Sequence, residues 1–321
     1  MKKNAIRFIF GFCSLLFFTV TVFAADMLVP VGQVIGLELF NDTVTVVAFD
    51  DCVHTGRDAG LQIGDEIRKI DGCAIETAED VRRALNSSDG SVDMTVSRGG
   101  KERQLRLEPQ ITIEGPKLGV FLRQGITGIG TVTWYDPETG CFATLGHAVN
   151  DSKGKLLNMS RGSAYPARVI SVQKGKSGAP GQLKGALNTD VLLGQLTGNT
   201  GCGVFGKAPS CWAGEAIPVG KSETVKQGLA TIRSTVSDGA PRDYSVEIIK
   251  VYPKSRSDGR NMLLKVTDPD LLAATGGIVQ GMSGSPIIQD GKLIGAVTHV
   301  LVNDPTTGYG IFIENMLDAA A

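Results

Sequence analysis

The strongest chemical pattern in this sequence is a glycine-rich turn around a serine, GMSGSP at 281–286. A nucleophilic serine needs a tight turn that exposes its Oγ while backbone N–H groups point at the developing oxyanion, and glycine permits both. The turn predicts Ser283 as nucleophile, with the N–H groups of Gly281 and Ser283 as oxyanion donors. Ser285 is the rival nucleophile, although Pro286 removes the N–H donor that follows it. Glycine-rich turns between strands also occur in β proteins that are not enzymes.

A histidine suited to act as general base lies far upstream of this turn. His147 ends an apolar run, ATLGHA at 143–148, and stands 136 positions before Ser283. A lone histidine is usually a surface residue or a satisfied core residue. Together with the serine turn, however, it matches the layout of trypsin-like peptidases, in which histidine takes the serine proton and returns it to the leaving amine. His299, on the strand after the turn, is interpreted as substrate-facing or structural.

The chain begins with a pattern typical of export. Three basic residues in MKKNAIRF precede an uninterrupted apolar stretch at 8–25 that ends in small residues. Its length lies between that of a cleavable signal and that of a membrane anchor, so both remain open for residues 1–25. The remainder is expected outside the cytoplasm. Without the leader it has 29 basic and 33 acidic residues, which argues against a nucleic-acid partner.

The cysteines and histidines favour neither a metal site nor a cofactor. The three histidines are widely scattered, and no pair of cysteines has the CxxC spacing of a zinc or redox site. Five cysteines lie outside the leader, and an odd number cannot all pair with one another. Cys202 and Cys211 are the pair favoured for a disulfide, because they are close in sequence in a compartment that permits disulfides.

Residues 27–109 have the character of a small α+β module. An alternating strand, VTVVAF at 44–49, precedes AGLQIGDEIRKIDGCAI at 59–75, a helix that starts at a capping box at 77–80, and a hairpin around 98–101. The segment resembles a bacterial PDZ domain, which binds a peptide as an added strand. Ile35, Gly36 and Leu37 are predicted to form its peptide-binding loop. Alternatively, the module only packs against its neighbour or acts as a spacer.

From residue 110 to 321 the pattern changes to short β-like runs separated by glycine-rich turns. More than two hundred such residues suit a pair of β-barrels better than a parallel α/β sheet. The predicted fold is therefore mostly β, with a PDZ-like α+β module followed by a trypsin-like double β-barrel peptidase domain.

Two long segments, at 128–151 and 265–314, together with the PDZ-like module resemble the stage IV sporulation protein B peptidase family. The resemblance implies Ser283 as nucleophile, His147 as base and Asp268 as the acid. It also implies export from the forespore into the space between the two spore membranes and self-cleavage near the N-terminus. The expected substrate is a membrane-anchored regulator of an intramembrane protease, whose release activates a late mother-cell sigma factor.

The identity of the acid stays open at this point. Asp268 stands 15 residues before Ser283, whereas Asp190 stands 43 residues after His147, where trypsin-like topology favours the acid. Either carboxylate could hold the imidazole in the correct tautomer if folding brought it to His147. Two other functions compete with the sporulation peptidase. One is a non-catalytic binding protein with a degenerate barrel, and the other is a quality-control protease, which usually carries its PDZ module after the catalytic domain.

Overall fold

A computed structural model describes residues 27–151, 153–209, 212–256 and 258–321 of the chain. The predicted export signal at 1–25 lies outside the described residues, and so does Cys211 of the predicted disulfide. No helix among the described residues is long and apolar enough to cross a membrane.

The elements are named here in chain order. The first part comprises β1 (Met27–Pro30), β2 (Val34–Phe40), β3 (Val44–Phe49), α1 (Thr55–Asp58), β4 (Glu66–Ile70), β5 (Cys73–Ala74), α2 (Ala78–Ser87), β6 (Val92–Arg98), β7 (Lys101–Leu107), β8 (Gln110–Thr112), β9 (Gly115–Lys117) and β10 (Val120–Arg123). The second part comprises β11 (Ile126–Tyr135), β12 (Cys141–Thr144), β13 (Arg161–Gln173), β14 (Gln182–Leu187), β15 (Gly194–Thr200), β16 (Gly203–Lys207), β17 (Ile217–Pro218), β18 (Gly228–Ser234), β19 (Arg242–Val251), β20 (Met262–Val266), α3 (Pro269–Thr275), β21 (Pro286–Gln289), β22 (Lys292–Leu301), β23 (Asp304–Phe312) and α4 (Ile313–Ala320).

The PDZ-like module consists of a sheet in the order β10-β3-β4-β6-β7, with β5 on β4 and α2 packed on one face. The predicted capping box starts α2, because the Thr77 side chain accepts a hydrogen bond from Asp80 N and the Asp80 carboxylate accepts one from Thr77 N. Val81 and Leu85 are the buried face of this helix. The PDZ-like fold expected from the sequence is confirmed.

The predicted start of this module is wrong. Strand β2 pairs with β11 on one side and with β13 on the other, so both of its hydrogen-bonding edges are used. Ile35 and Leu37 are buried there, and a side chain at Gly36 would overlap Leu187. Ile35, Gly36 and Leu37 therefore cannot form a loop that captures a peptide by strand addition.

The module is instead an insertion between two neighbouring strands of the peptidase part. Its sheet runs from β3 to β10, residues 44–123, while β1 and β2 before it belong to the first barrel. The predicted boundaries of 27–109 and 110–321 miss this arrangement. The reason is physical: the partners of β2 lie some ninety or more residues further along the chain, so no local pattern reveals the pairing.

The peptidase part contains two barrels. In the described residues, β11, β12, β16, β15, β13 and β2 pair in a closed ring, with β1 and β17 extending from β11. The second barrel is closed in the order β18-β19-β20-β23-β22-β21, and α3 leads from β20 to the serine turn. One apolar core belongs to the first barrel, and a second, centred on the second barrel, also includes Val34, Val169 and Leu183. The predicted class is confirmed: mostly β, with a PDZ-like module and a trypsin-like double barrel.

Candidate active site

The serine turn at 281–286 is shaped by two glycines that no other residue could easily replace. Gly281 and Gly284 have φ of +98° and +97°, in the left-handed region that glycine enters without a steric penalty. A Cβ at Gly284 would overlap the carbonyl oxygen of Thr131 and would lie 2.5 Å from Leu145 N. Glycine therefore lets the turn pack directly against β11 and against the segment that leads to His147.

Thr131, at the centre of β11, ties the serine turn to that strand. Its N–H donates to Ser283 O at 3.0 Å, and its Oγ1 donates to Gly281 O at 2.8 Å. Its own carbonyl accepts a hydrogen bond from Thr144 Oγ1 at 2.6 Å, three residues before His147. Thr131 is fully buried. The sequence did not single out Thr131, although a polar side chain on a strand rich in glycine and apolar residues was the available signal.

His147 follows a sharp reversal of the chain. Leu145 and Gly146 have φ of +71° and +68°, and Gly146 N donates to Thr144 O at 2.9 Å. A left-handed conformation is unfavourable for leucine, and here it coincides with burial of the Leu145 side chain in the first barrel. The reversal turns the chain out of β12 and places the imidazole at the junction of the two barrels.

The contacts of the imidazole define its tautomer. His147 Nδ1 lies 2.9 Å from Ala148 O. Because a carbonyl oxygen only accepts, this hydrogen bond requires the proton on Nδ1 and leaves the lone pair on Nε2. Burial lowers the pKa of His147, although the hydrogen bond to Ala148 acts in the opposite direction. The residue is thus a neutral base near pH 7.

The structure brings Ser283 and His147 together in one cavity of about 460 Å³ between the barrels. The Ser283 Oγ donates a hydrogen bond to Thr298 O on β22 at 2.8 Å. Both predicted residues therefore lie in the wall of the same pocket, with the serine hydroxyl held on a backbone carbonyl.

The predicted oxyanion donors are also in this wall. Among the hydrogen bonds of the described residues, neither the Gly281 N–H nor the Ser283 N–H donates to another protein group. The alternating N–H groups of Met282 and Gly284 do donate to backbone carbonyls, at 3.1 and 2.7 Å. The turn thus leaves the two N–H groups of the prediction available for an oxyanion.

Neither predicted acid is brought to His147. Asp268 caps α3, since its Oδ1 accepts from Leu271 N at 3.0 Å and its Oδ2 accepts from Ser245 N at 3.2 Å. Asp190 is exposed, and neither acid lines the cavity. Across the described residues, no carboxylate forms a hydrogen bond or ion pair with His147. The expectation that Asp268 or Asp190 orients the imidazole stays a prediction that no contact supports.

The side chain beside His147 is a second histidine. The rings of His147 and His299 have centroids 5.2 Å apart, and His299 lines the same cavity. Desolvation, followed by the charges of His147 and Arg260, lowers the pKa of His299 to about 4. His299 is therefore neutral at physiological pH.

Ser285 is placed away from the cavity. It is fully buried, and its Oγ lies 2.7 Å from Met282 O and 3.0 Å from Ser234 Oγ. These contacts assign Ser285 to the structure of the turn rather than to the chemistry.

In the described part of the chain, no group of three or more His, Cys, Asp or Glu side chains could hold a metal ion.

Comparison with known proteins finds three kinds of similarity. A curated protein of Agrobacterium fabrum, described as a zinc metalloprotease, is 34% identical over 95 residues, which are 29% of this chain and 24% of that protein. The chain thus spans about a quarter of this curated relative. The PDZ domain of an SdrC-like protein from Listeria monocytogenes is 26% identical, covering 25% of this chain and 87% of that one, with a TM-score of 0.23.

Two structures of the Rv3671c protease are similar to a larger part of the chain. An inactive form is 15% identical with a TM-score of 0.33, covering 59% of this chain and 80% of that one. An inactive serine-to-alanine variant from M. tuberculosis is 13% identical with a TM-score of 0.32, covering 60% and 79%. The assignment to a family rests on a third kind of match, the model of the SpoIVB peptidase S55 family over residues 114–317. Since this match spans more than half of the chain and includes both Ser283 and His147, the chain belongs to the SpoIVB peptidase S55 family, a family of serine peptidases.

Proposed function

We propose that this protein is a serine endopeptidase with Ser283 as nucleophile and His147 as general base. The observation that carries the proposal is that Ser283 and His147 lie in the wall of one cavity between the barrels. In the proposed reaction, Ser283 Oγ attacks the scissile carbonyl carbon and His147 Nε2 takes its proton. The N–H groups of Gly281 and Ser283 then bind the oxyanion.

The second half of the reaction uses the same groups. His147 gives its proton to the leaving amine as the peptide bond breaks. A water molecule, deprotonated by His147, then attacks the acyl-enzyme, and His147 returns this proton to Ser283 Oγ as the acyl–oxygen bond breaks and the acid is released. The hydrogen bond from His147 Nδ1 to Ala148 O keeps the ring in the tautomer that this sequence requires. Before attack, the Ser283 hydroxyl must leave Thr298 O, a rearrangement of a kind common when a substrate enters a free active site.

For the substrate, we propose a membrane-anchored regulatory protein of endospore formation and the chain's own N-terminal region. Cleavage would take place in the space between the spore membranes, after export across the forespore membrane, and would lead to activation of a late mother-cell sigma factor. Family membership supports this assignment. The apolar stretch at 8–25 is the feature of the sequence that favours export.

The PDZ-like module is proposed to recruit the protein substrate by strand addition at β10. This strand is the outer strand of the module's sheet, so one of its edges has no neighbouring strand among the described residues. Val120 and Leu122 of β10 share an apolar cluster with Val81 and Leu85 of α2. An extended segment added at this edge would lie where PDZ domains bind peptides, between a strand and a helix.

Labelling by a fluorophosphonate probe tests the catalytic assignment, because only an activated serine reacts readily. Ser283→Ala and His147→Ala should each abolish labelling and self-cleavage, the latter followed by mass spectrometry of the N-terminus. Ser285→Ala is the matched control and should still be labelled. No labelling of the wild-type protein would favour a non-catalytic binding protein, and loss in Ser285→Ala alone would move the nucleophile.

A replacement of the module tests recruitment. Leu39 and Ile126 face each other as register partners, so a two-residue Asn-Gly turn in place of residues 41–124 would rejoin β2 and β11 as a hairpin. We expect this variant to hydrolyse a short peptide at close to the wild-type rate while losing cleavage of the protein substrate. A parallel loss of both activities, with the fold retained by circular dichroism, would make the module a structural part of the enzyme.

A further inference from the structure

We infer that the cavity beside Ser283 is a specificity pocket for a large, uncharged apolar side chain on the substrate residue whose carbonyl is attacked. This inference rests on the proposed function and names the substrate class of the same site. The cavity adjoins both the nucleophile and Gly281, so the side chain nearest to the reacting carbonyl is the one that would enter it.

The chemistry of the wall favours an apolar occupant. Leu37 and Leu39 of β2, Ile129 of β11, and Ile278 and Val300 from the second barrel face the cavity. Among the described residues that line it there is no Asp, Glu, Lys or Arg. An aliphatic or aromatic side chain gains by leaving water for such a wall, whereas a charged one loses hydration without meeting an Asp, Glu, Lys or Arg side chain among the described lining residues.

The volume of the cavity favours a large occupant. A cavity of roughly 150 Å³ lined by aliphatic side chains is enough to hold benzene. The cavity of about 460 Å³ therefore has room for a leucine or phenylalanine side chain together with adjoining substrate backbone. Alanine would leave most of the apolar wall uncovered.

Gly128 of β11 leaves part of this space open. It lines the cavity, and a Cβ built on it meets no atom within 4 Å. Its backbone is not in the left-handed region, so a side chain there causes no strain. Substitution at Gly128 can thus change the size and charge of the pocket without removing any existing contact.

Gly198 of β15 offers a matched control. It is also a strand glycine outside the left-handed region, with no atom within 4 Å of an added Cβ, and it does not line the cavity. Substitutions at Gly128 and Gly198 therefore differ mainly in whether they reach the pocket.

The experiment uses the full chain and fluorogenic peptides that differ only at the residue before the scissile bond: Ala, Leu, Phe, Lys or Glu. Fluorophosphonate labelling counts active sites, so that kcat/KM is compared per reactive serine. For the wild type, we expect Leu and Phe to exceed Ala by roughly 10- to 100-fold and to exceed Lys and Glu by at least about 100-fold.

The variants test whether this cavity causes the preference. Gly128→Leu should narrow the pocket and reverse the order of Leu and Ala, and Gly128→Asp should raise hydrolysis of the Lys peptide by roughly 10-fold or more. Gly198→Leu and Gly198→Asp should keep the wild-type order.

Two results would overturn the inference while leaving the proposed function intact. One is a labelled wild-type enzyme that prefers Lys or Glu, or that shows an apolar preference only after the scissile bond. The other is an equal response to the Gly128 and Gly198 substitutions. Absence of labelling in the wild type would instead refute the proposed function itself.

Discussion

The serine turn and the histidine segment both line the cavity, but they are held in very different ways. The turn is fixed by Thr131 from the first barrel and by the hydrogen bond from Gly284 N to Val297 O at 2.7 Å in the second. Within the part of the chain that the structure describes, the His147 side chain has one hydrogen bond, to the carbonyl of the next residue, and a ring contact with His299.

This difference distinguishes two tasks of the proposed site: positioning the serine turn and transferring the serine proton. The turn that carries the proposed nucleophile and oxyanion donors is hydrogen-bonded to strands of both barrels. His147, the proposed base, has the tautomer that leaves Nε2 free to accept a proton, but the Ser283 hydroxyl donates to Thr298 O rather than to the imidazole. A bound substrate is therefore needed to complete the proton-transfer path, and changes to the turn should affect rate more than changes near the histidine.

Apart from replacement of Ser283 or His147 themselves, the largest effect is expected at Thr131. Thr131→Val keeps the shape of the side chain but removes the hydrogen bond from Oγ1 to Gly281 O, leaving that carbonyl unsatisfied beside the oxyanion donors. Loss of such a bond costs roughly 1–3 kcal/mol, so kcat/KM on a short peptide should fall roughly 10- to 100-fold.

Thr131→Ser is the matched control, because it retains the hydroxyl and loses only a methyl group. It should recover most of the rate. If the serine variant falls as far as the valine variant, packing rather than the hydrogen bond holds the turn, and the contrast with His147 is weakened.

A smaller effect is expected from pH. Burial lowers the pKa of His147, so the base stays neutral, and the acid limb of the kcat/KM profile should fall below the ordinary histidine pKa of about 6.5. The pKa of His299 is lowered to about 4, below its unfolded value, so its contribution to stability is present above pH 6.5 and is lost as pH falls toward 4.

His299→Phe separates these two titrations, because it keeps a ring beside His147 and removes the second ionisation. Denaturant unfolding between pH 6.5 and 4 should show a weaker loss of stability in this variant than in the wild type. The acid limb of kcat/KM should remain. If the acid limb disappears in His299→Phe, the pH dependence of kcat/KM reports the ionisation of His299 and not that of His147.

The charged or titratable groups that act on His299 are His147, Arg260 and Asp258.

Features that depend on residues close together in the sequence were predicted well, and features that depend on residues far apart in the sequence were not. The capping box of α2 and the hairpin between β6 and β7 are local, and both were correct. Ser283 and His147, each in a short motif, were expected at one site, and both line the same cavity; their catalytic roles stay a proposal. Thr131 was not, because its role depends on hydrogen bonds to a turn about 150 residues away.

For Ile35, Gly36 and Leu37, the sequence led to a prediction that was wrong. An apolar residue, glycine and leucine before an alternating strand fit the start of a PDZ domain, but the same pattern suits a buried central strand. Pairing with β11 and β13 decides between the two, and it becomes visible only in the folded chain. The insertion of a whole module between β2 and β11 has no signature in composition, which is why the predicted boundary lay at 109 instead of near 123.

The smallest effect on rate is expected at Asp268. This residue also gives the sharpest test of the difference between the firmly held serine turn and the weakly held His147. The resemblance to the family implies that this carboxylate orients His147, whereas its oxygens accept hydrogen bonds from Leu271 N and Ser245 N. Asparagine is as good an N-cap as aspartate, although its NH2 group cannot accept the second hydrogen bond, from Ser245 N, while alanine costs a helix roughly 0.5–2 kcal/mol. We therefore expect Asp268→Asn to keep kcat/KM within a few-fold of the wild-type value. Asp268→Ala should lower the free energy of unfolding, measured by urea denaturation, by about 0.5–2 kcal/mol.

An acid that orients the histidine behaves differently: when it is replaced by its amide, the imidazole is held in the wrong tautomer and the rate falls by about 10⁴. A loss of that size in Asp268→Asn, with unchanged stability and with Asp190→Asn unaffected, would show that Asp268 reaches His147 in the working enzyme and that the carbonyl of Ala148 is not enough to orient the base.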